Sequence, residues 1–245
     1  MGRNTRGIWT KRPALAGILN LKPVAAGILA GSLLWGAANV SSPHPGLKDD
    51  ALKQALKKER KHEIVPFGQA KMLLYSKIDN HGGYVIDRYT GQKIKTSRVP
   101  LPHITQIDHA FARTKLTDVV SQSDMHQLFI VDSEARLARN VLPFCDVFVP
   151  AWEKGGSRAG VDRRAHPCFE PRDDQKGDAA RAMFYTSVFY DIDIDPAQEA
   201  TLRKWNDRDR VDGREKSRND AIAKSQKSRN PFVDHPELVK RITDF

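Results

Sequence analysis

An acid and a histidine stand side by side in the stretch TQIDHAFART, at Asp108 and His109. A histidine titrates near neutral pH, so it can serve as a general base that activates water. A carboxylate supplies the oxygen ligands that Mg²⁺ prefers. The pair is therefore either part of an active site or two polar residues near a strand end. Neighbouring residues on a strand point to opposite faces, however, so the dipeptide alone does not establish a site.

Length and charge limit the class of protein. The chain has 245 residues, enough for one sizeable domain with appendages. Its formal net charge is +10, but residues 1–48 contain six basic residues and no acid. The remainder is therefore only mildly basic, which suits a polyanion partner such as nucleic acid without requiring one.

The N-terminus reads as a targeting segment. A basic leader precedes an apolar run at residues 23–40, followed by SSPHPG. This order is typical of a secretory signal, an uncleaved membrane anchor or an organellar presequence. We expect a targeting signal or anchor at 1–40, a linker and charged helix at 41–62, and the main domain at 63–245. The expected location is secreted or periplasmic, or organellar, with anchoring to a membrane through residues 23–40 left open.

The chain has two cysteines, Cys145 and Cys168, and neither lies in a CxxC motif. This argues against a zinc site. In an oxidising compartment the two would form a disulfide across a Gly-rich, charged loop, and in a reducing one they would be free thiols. Both alternatives remain open from the sequence.

The hydrophobic pattern predicts the elements that must position these residues. Helical spacing is present at 49–62, 66–78, 174–190 and 211–226, with Asp173 or Asp174 as the cap of the third helix. Alternation and a TG break at 82–94 predict a hairpin. Ile104 and Ile107 predict a short strand that ends at Asp108 and His109. The predicted class is α+β, a helix-rich domain with a small antiparallel sheet.

Three further stretches resemble a known family. They are AKMLLY at 70–75, FEPRDDQKGDAARAMFY at 169–185 and RNDAIAKSQKSRNPFVDHPEL at 218–238. They are similar to the bacterial endonuclease I family, secreted or periplasmic nonspecific nucleases of the ββα-metal, or His-Me finger, type. The resemblance runs from about Phe67 to the C-terminus. It implies an endonuclease I-like domain with a ββα-metal finger, hydrolysis of DNA, with RNA as an open alternative, and one Mg²⁺, Ca²⁺ or Mn²⁺ ion.

The resemblance also implies roles for individual residues. His109 would be the general base, and Asp108 and Gln127 would hold the metal. The remaining residues would contact phosphates or support the site: Arg136, Arg139 and Arg181, with Glu170 and His126.

The motifs around this site depart from those of the family. Glu-His becomes Asp108–His109, the metal-binding asparagine becomes Gln127, and two further asparagines become Arg136 and Val141. Both metal ligands would still offer an oxygen donor.

Each supporting residue has a structural alternative. His126 suits a packed histidine, Glu170 a cap or salt bridge, and Arg181 an ion pair with an acid such as Asp178. Arg136 and Arg139, three apart on a helix, also suit a solvated face.

Two functions therefore remain open, with the endonuclease favoured. The alternative is a catalytically inactive nuclease-fold protein, a membrane-anchored or organellar subunit that binds protein partners. A sequence-specific DNA binder is a weaker third, because acids are mixed among the bases and no recognition helix is evident.

Overall fold

The computed structural model describes residues 42–245. The predicted targeting segment, including the apolar run at 23–40, lies outside the described residues. Within 42–245, no helix has both the length and the apolar composition needed to cross a membrane.

The described chain is helix-rich with three small antiparallel sheets, so the predicted α+β class is confirmed. The helices are α1 (Asp49–Glu59), α2 (Phe67–Leu73), α3 (Val119–Ser123), α4 (Ser133–Arg139), α5 (Asp173–Tyr190), α6 (Pro196–Arg208), α7 (Gly213–Gln226) and α8 (Pro231–Asp234). The strands are β1 (Asn80–His81), β2 (Tyr84–Ile86), β3 (Lys93–Lys95), β4 (Thr105–His109), β5 (Leu128–Asp132), β6 (Val149–Lys154), β7 (Ser157–Val161) and β8 (Pro167–Glu170). The sheets are β1–β2–β3, β4–β5 and β6–β7–β8. The hairpin predicted at 82–94 is the β2–β3 pair.

Helix α5 is the centre of the main core. From Gln175 to Val188 nearly every side chain is buried, the small alanines and glycine allowing close approach of neighbouring elements. The predicted cap was wrong: Arg172 occupies the N-cap position without a side-chain cap. Asp173 and Asp174 instead lie in the first turn, where their charge is favourable to the helix dipole.

Strands β4 and β5, with helix α4, form the platform of the candidate site. The strands are antiparallel, with Asp108 opposite Phe129 and His109 opposite Leu128. Helix α4 begins directly after β5, because the Asp132 carboxylate caps it by accepting from the Ala135 amide at 3.0 Å. The helix packs on both strands. Two antiparallel strands and the helix that follows them therefore place Asp108, His109 and the arginines of α4 in one part of the domain.

A buried ion network fixes the start of β5. Asp79 accepts from Arg88 at 2.8 Å and from Arg218 at 2.9 Å, and all three side chains are buried. Arg218 also donates to the Leu128 carbonyl at 2.6 Å. The position of β5, and so of its partner strand, therefore depends on charges that only their own partners compensate.

The segment predicted as a linker and charged helix packs against the domain. Leu52 and Leu56 of α1 are buried in the same core as α5. Arg60 donates to Asp124 at 2.6 Å, and Arg241 donates to the Pro43 carbonyl at 2.8 Å. Side-chain contacts thus fix both ends of residues 43–60 to the domain.

Cys145 and Cys168 form a disulfide in the structure, with their Cα atoms 5.7 Å apart. The bridge joins the loop before β6 to β8, and the Cys145 amide also donates to the Phe169 carbonyl at 3.0 Å. The bonded pair encloses β6 and β7, so it limits how far this sheet can separate from the loop.

We expect the Cys145→Ser/Cys168→Ser double variant to lose about 3 kcal/mol of unfolding free energy, because the unfolded chain gains the entropy of an open loop of this length. Urea denaturation with and without dithiothreitol measures the loss. Reductant should destabilise the wild type by a similar amount and leave the double variant unchanged. An identical urea midpoint for the two proteins would contradict this role.

Candidate active site

His109 is the last residue of β4, and its ring is buried. The ring stacks on Phe67 with centroids 5.8 Å apart and an angle of 11° between the planes. Nε2 lies 2.9 Å from the Gln122 carbonyl oxygen. A ring nitrogen that faces a carbonyl must carry hydrogen, so the neutral ring keeps its lone pair on Nδ1. Nδ1 has no hydrogen-bond partner within residues 42–245, and it is the atom available as a base.

The surroundings of His109 favour its neutral form. Burial lowers the pKa of His109 below its ordinary 6.5, and the charges of Arg113 and Arg136 act in the same direction. The Gln122 carbonyl and the Asp108 carboxylate oppose this shift without cancelling it. Near neutral pH the ring is thus able to accept a proton.

Asp108 is buried beside His109 on the same strand. Its Oδ2 accepts from the Tyr89 hydroxyl at 2.8 Å, and the Tyr89 ring packs against Phe169 with centroids 4.8 Å apart. Burial and the Asp108 charge raise the pKa of Tyr89, so its hydroxyl remains a donor. The other Asp108 oxygen has no hydrogen-bond partner in the described part of the chain. One oxygen is therefore oriented and the other remains available to a ligand.

Gln127 precedes β5 and is fully buried. Its Nε2 donates to the Ser121 carbonyl, and its backbone oxygen accepts from the Ala110 amide at 2.9 Å. Its Oε1 is enclosed and has no partner among the described residues. This is an oxygen donor of the type a hard cation takes, but to meet a hydrated ion its side chain must turn away from Ser121. Residues 42–245 contain no cluster of three or more His, Cys, Asp or Glu side chains with metal-binding geometry.

The two arginines of α4 differ in exposure. Arg136 is partly exposed and makes no ion pair within residues 42–245. Arg139 is 2% exposed, donates to the Ala110 carbonyl at 3.0 Å and has its guanidinium 4.4 Å from the Phe144 ring centroid. Its Nε has no acceptor, and no carboxylate in the described chain pairs with it. A buried charge without a counter-charge is unfavourable, so an anion at this position would be strongly held.

Arg181 lies elsewhere, and its guanidinium is wholly buried on α5. It donates to both carboxylate oxygens of Glu215, at 2.8 and 2.6 Å, while Asp178 is 3.5 Å away. In this conformation Arg181 cannot reach a phosphate at the surface. The ion-pair alternative describes its contacts, with Glu215 rather than Asp178 as the main partner.

The two supporting candidates also have structural contacts. Glu170 accepts from Arg158 at 2.5 Å and from Lys176 at 2.6 Å, so it is a buried salt-bridge residue. His126 has its Nε2 3.0 Å from the Ser228 carbonyl, and its ring packs on Tyr185. Burial lowers the pKa of His126 to about 4, as expected for a packed neutral histidine.

The sequence pattern does not identify three residues that orient the site. Tyr89 lies in the turn of the predicted hairpin, Gln122 contributes only its carbonyl, and Phe67 begins α2. Nothing in their spacing connects Tyr89 or Gln122 to β4. Phe67 lay inside a predicted helix, but no sequence pattern assigns its ring to His109.

Comparison with known proteins identifies the family of the chain. The family described as Endonuclease I matches residues 61–237. The chain is 33% identical over 141 residues to an extracellular ribonuclease of Bacillus subtilis (strain 168), covering 49% of this chain and 46% of that protein. It is 29% identical over 113 residues to an extracellular deoxyribonuclease of Aeromonas hydrophila, covering 46% and 50%. The chain spans about half the length of these curated relatives. Because the family match extends over well more than half of its residues, the protein belongs to the endonuclease I family.

Proposed function

We propose that the protein is a metal-dependent, sequence-nonspecific endonuclease that hydrolyses phosphodiester bonds of DNA or RNA. The observation that carries this proposal is His109, held through Nε2 by the Gln122 carbonyl with Nδ1 left as the base. Asp108, oriented by Tyr89, lies next to it on the strand. Membership of the endonuclease I family and the names of the relatives, ribonuclease and deoxyribonuclease, support the same activity.

In this proposal Nδ1 of His109 accepts a proton from the attacking water. The partnerless oxygens of Asp108 and Gln127 fit a hard divalent cation such as Mg²⁺ in donor type. When bound, the cation would stabilise the charge that develops on the phosphate and the leaving oxygen. Arg139, and Arg136 at the surface, attract the phosphates. Arg181 is left out because its donors are committed to Glu215 and its neighbours.

Metal removal tests the cation requirement. EDTA should abolish cleavage of a labelled oligonucleotide, and added Mg²⁺ should restore it. Asp108→Asn should need a higher Mg²⁺ concentration for half-maximal rate, since a neutral amide binds a cation less tightly than a carboxylate. Asp244→Asn is the matched control, because it makes the same substitution at an exposed acid near the C-terminus. It should need the same Mg²⁺ concentration as the wild type. Full activity in EDTA would contradict a metal-dependent mechanism.

The proposal includes export. Both relatives are named extracellular, and a disulfide is typical of an oxidising compartment. N-terminal sequencing of the mature protein tests this, and cleavage near residue 40 is the expected result. An intact Met1 would instead indicate a retained anchor.

The enclosure of the Gln127 oxygen favours a second candidate, a catalytically inactive protein that keeps the nuclease fold. In that case the Gln127 side chain stays bonded to the Ser121 carbonyl, and a metal would have no second protein ligand. Titration with Mn²⁺, followed by paramagnetic broadening of Asp108 and Gln127 resonances, separates the two candidates. Saturable broadening at both residues supports the enzyme, and no broadening supports the inactive protein.

A further inference from the structure

A cavity of about 390 Å³ begins one residue beyond His109, at Ala110. This volume is within the range of small-molecule sites in proteins. One part of its wall is apolar, with Phe111, Leu142 and Met183 among its residues, and Lys115 lies at its exposed rim. The cavity is therefore shaped for an object with an apolar face, directly beside the proposed catalytic strand.

Three polar side chains of the cavity keep hydrogen-bonding capacity that residues 42–245 do not use. Arg139, which also lines it, is the buried guanidinium without a carboxylate. Gln198, a residue that is 9% exposed, makes no side-chain hydrogen bond within residues 42–245. Asp195, on the same wall, caps α6 with one oxygen by accepting from the Ala197 amide at 3.0 Å. The lining thus offers donors and acceptors that the described protein does not itself satisfy.

These groups match a nucleotide in its parts. An apolar wall packs against the face of a base, as aromatic and aliphatic surfaces do in single-strand binding proteins. A carboxamide and a carboxylate can pair with the donor and acceptor edge of a base. The arginine and Lys115 carry the charge that a neighbouring phosphate requires.

We propose that this cavity receives the unpaired base of the nucleotide next to the scissile phosphate, which makes single-stranded nucleic acid the preferred substrate. The location of the scissile phosphate at His109 rests on the proposed function. A base in a duplex is stacked and paired, so it enters a cavity only after extrusion, which costs free energy. A single strand presents its bases without that cost.

Binding is measured in a His109→Ala background by fluorescence anisotropy, so that cleavage does not interfere. The probes are a short fluorescein-labelled DNA single strand and the same strand with all its bases removed. The base-containing strand should bind about tenfold more tightly, the effect expected of one stacked base. Adding Ala112→Phe, which places a ring in the cavity lining, should remove most of that difference. Gln198→Met tests the same wall with a side chain of similar length. Val149→Phe, on exposed β6 and outside the cavity, is the matched control.

Equal binding of the two strands, or a difference that survives both Ala112→Phe and Gln198→Met in folded protein, overturns the proposal. Circular dichroism of each variant establishes folding.

Cleavage by the wild type is assayed separately, and single strands should be cut about tenfold faster than the same sequence in duplex. If the wild type cleaves neither substrate but still binds the base-containing strand more tightly, the proposed nuclease activity is wrong and the proposed base-binding cavity stands. Equal cleavage of the two substrates would keep the nuclease and overturn the single-strand preference.

Discussion

Replacing His109 with alanine should lower the rate of nucleic-acid cleavage by about 10²–10⁴-fold, the usual contribution of a general base. The substitution removes Nδ1, the ring nitrogen that can accept a proton. The other ring nitrogen, Nε2, donates its hydrogen to the Gln122 carbonyl. The fold should persist, because the losses are one hydrogen bond and the stacking contact with Phe67. Initial rates on a fluorogenic oligonucleotide in Mg²⁺, with thermal melting of each protein, provide the measurement.

The control is His81→Ala, an exposed histidine on β1. It should keep wild-type activity, because its ring contacts no residue of the candidate site. A His109→Ala protein that is folded and as active as the His81→Ala protein would remove His109 from the mechanism. The base would then have to be another group.

Replacing Asp79 with asparagine should destabilise the protein by about 3–5 kcal/mol, the range for breaking a buried ion pair from one side. Burial raises the pKa of Asp79, but Arg218 and Arg88 outweigh it and hold the carboxyl ionised below its ordinary pKa. The amide carries no charge, so Arg218 loses its carboxylate partner while it still holds the Leu128 carbonyl. Arg88 retains Asp178 at 3.1 Å, which limits the loss on that side. Urea denaturation monitored by tryptophan fluorescence measures the change.

The double variant Asp79→Asn/Arg218→Met is the second arm of this test. Removing the charge along with its partner should recover part of the lost stability, because no unpaired guanidinium is left behind. If Asp79→Asn costs less than about 1 kcal/mol, the network is not what holds β5. If the double variant is as unstable as the sum of both single variants, the two charges are not coupled.

Local pattern was sufficient for the elements with strong periodicity. The helix predicted at 174–190 is α5, Asp173–Tyr190, and the alternation at 82–94 is the β2–β3 pair. The predicted N-cap of α5 was wrong. Arg172 occupies that position, and Asp173 and Asp174 lie in the first turn of the helix. Several adjacent residues could serve as the N-cap of this helix. The backbone conformation, which the sequence pattern does not give, determines which of them occupies that position.

The candidate site depended on contacts that sequence cannot express. The position of His109 at a strand end followed from the alternation of Ile104 and Ile107 and from the family resemblance. Its tautomer follows from a backbone carbonyl at Gln122, and any residue type supplies a carbonyl. The sequence alone could not decide between a phosphate and an ion pair for Arg181, because Glu215 is 34 residues away and reaches Arg181 only in the folded chain. Long-range pairing of charges, rather than local propensity, determined which polar residues were structural.

The role of His109 in nucleic-acid cleavage is measured most directly with one labelled single-stranded oligonucleotide. Purified, disulfide-bonded wild-type protein in Mg²⁺ is compared with His109→Ala prepared in the same way. We expect internal cuts at many positions by the wild type, and a rate lower by at least about a hundredfold for the variant, as for a nuclease whose base is His109. Folded wild-type protein that leaves both DNA and RNA strands intact would contradict it.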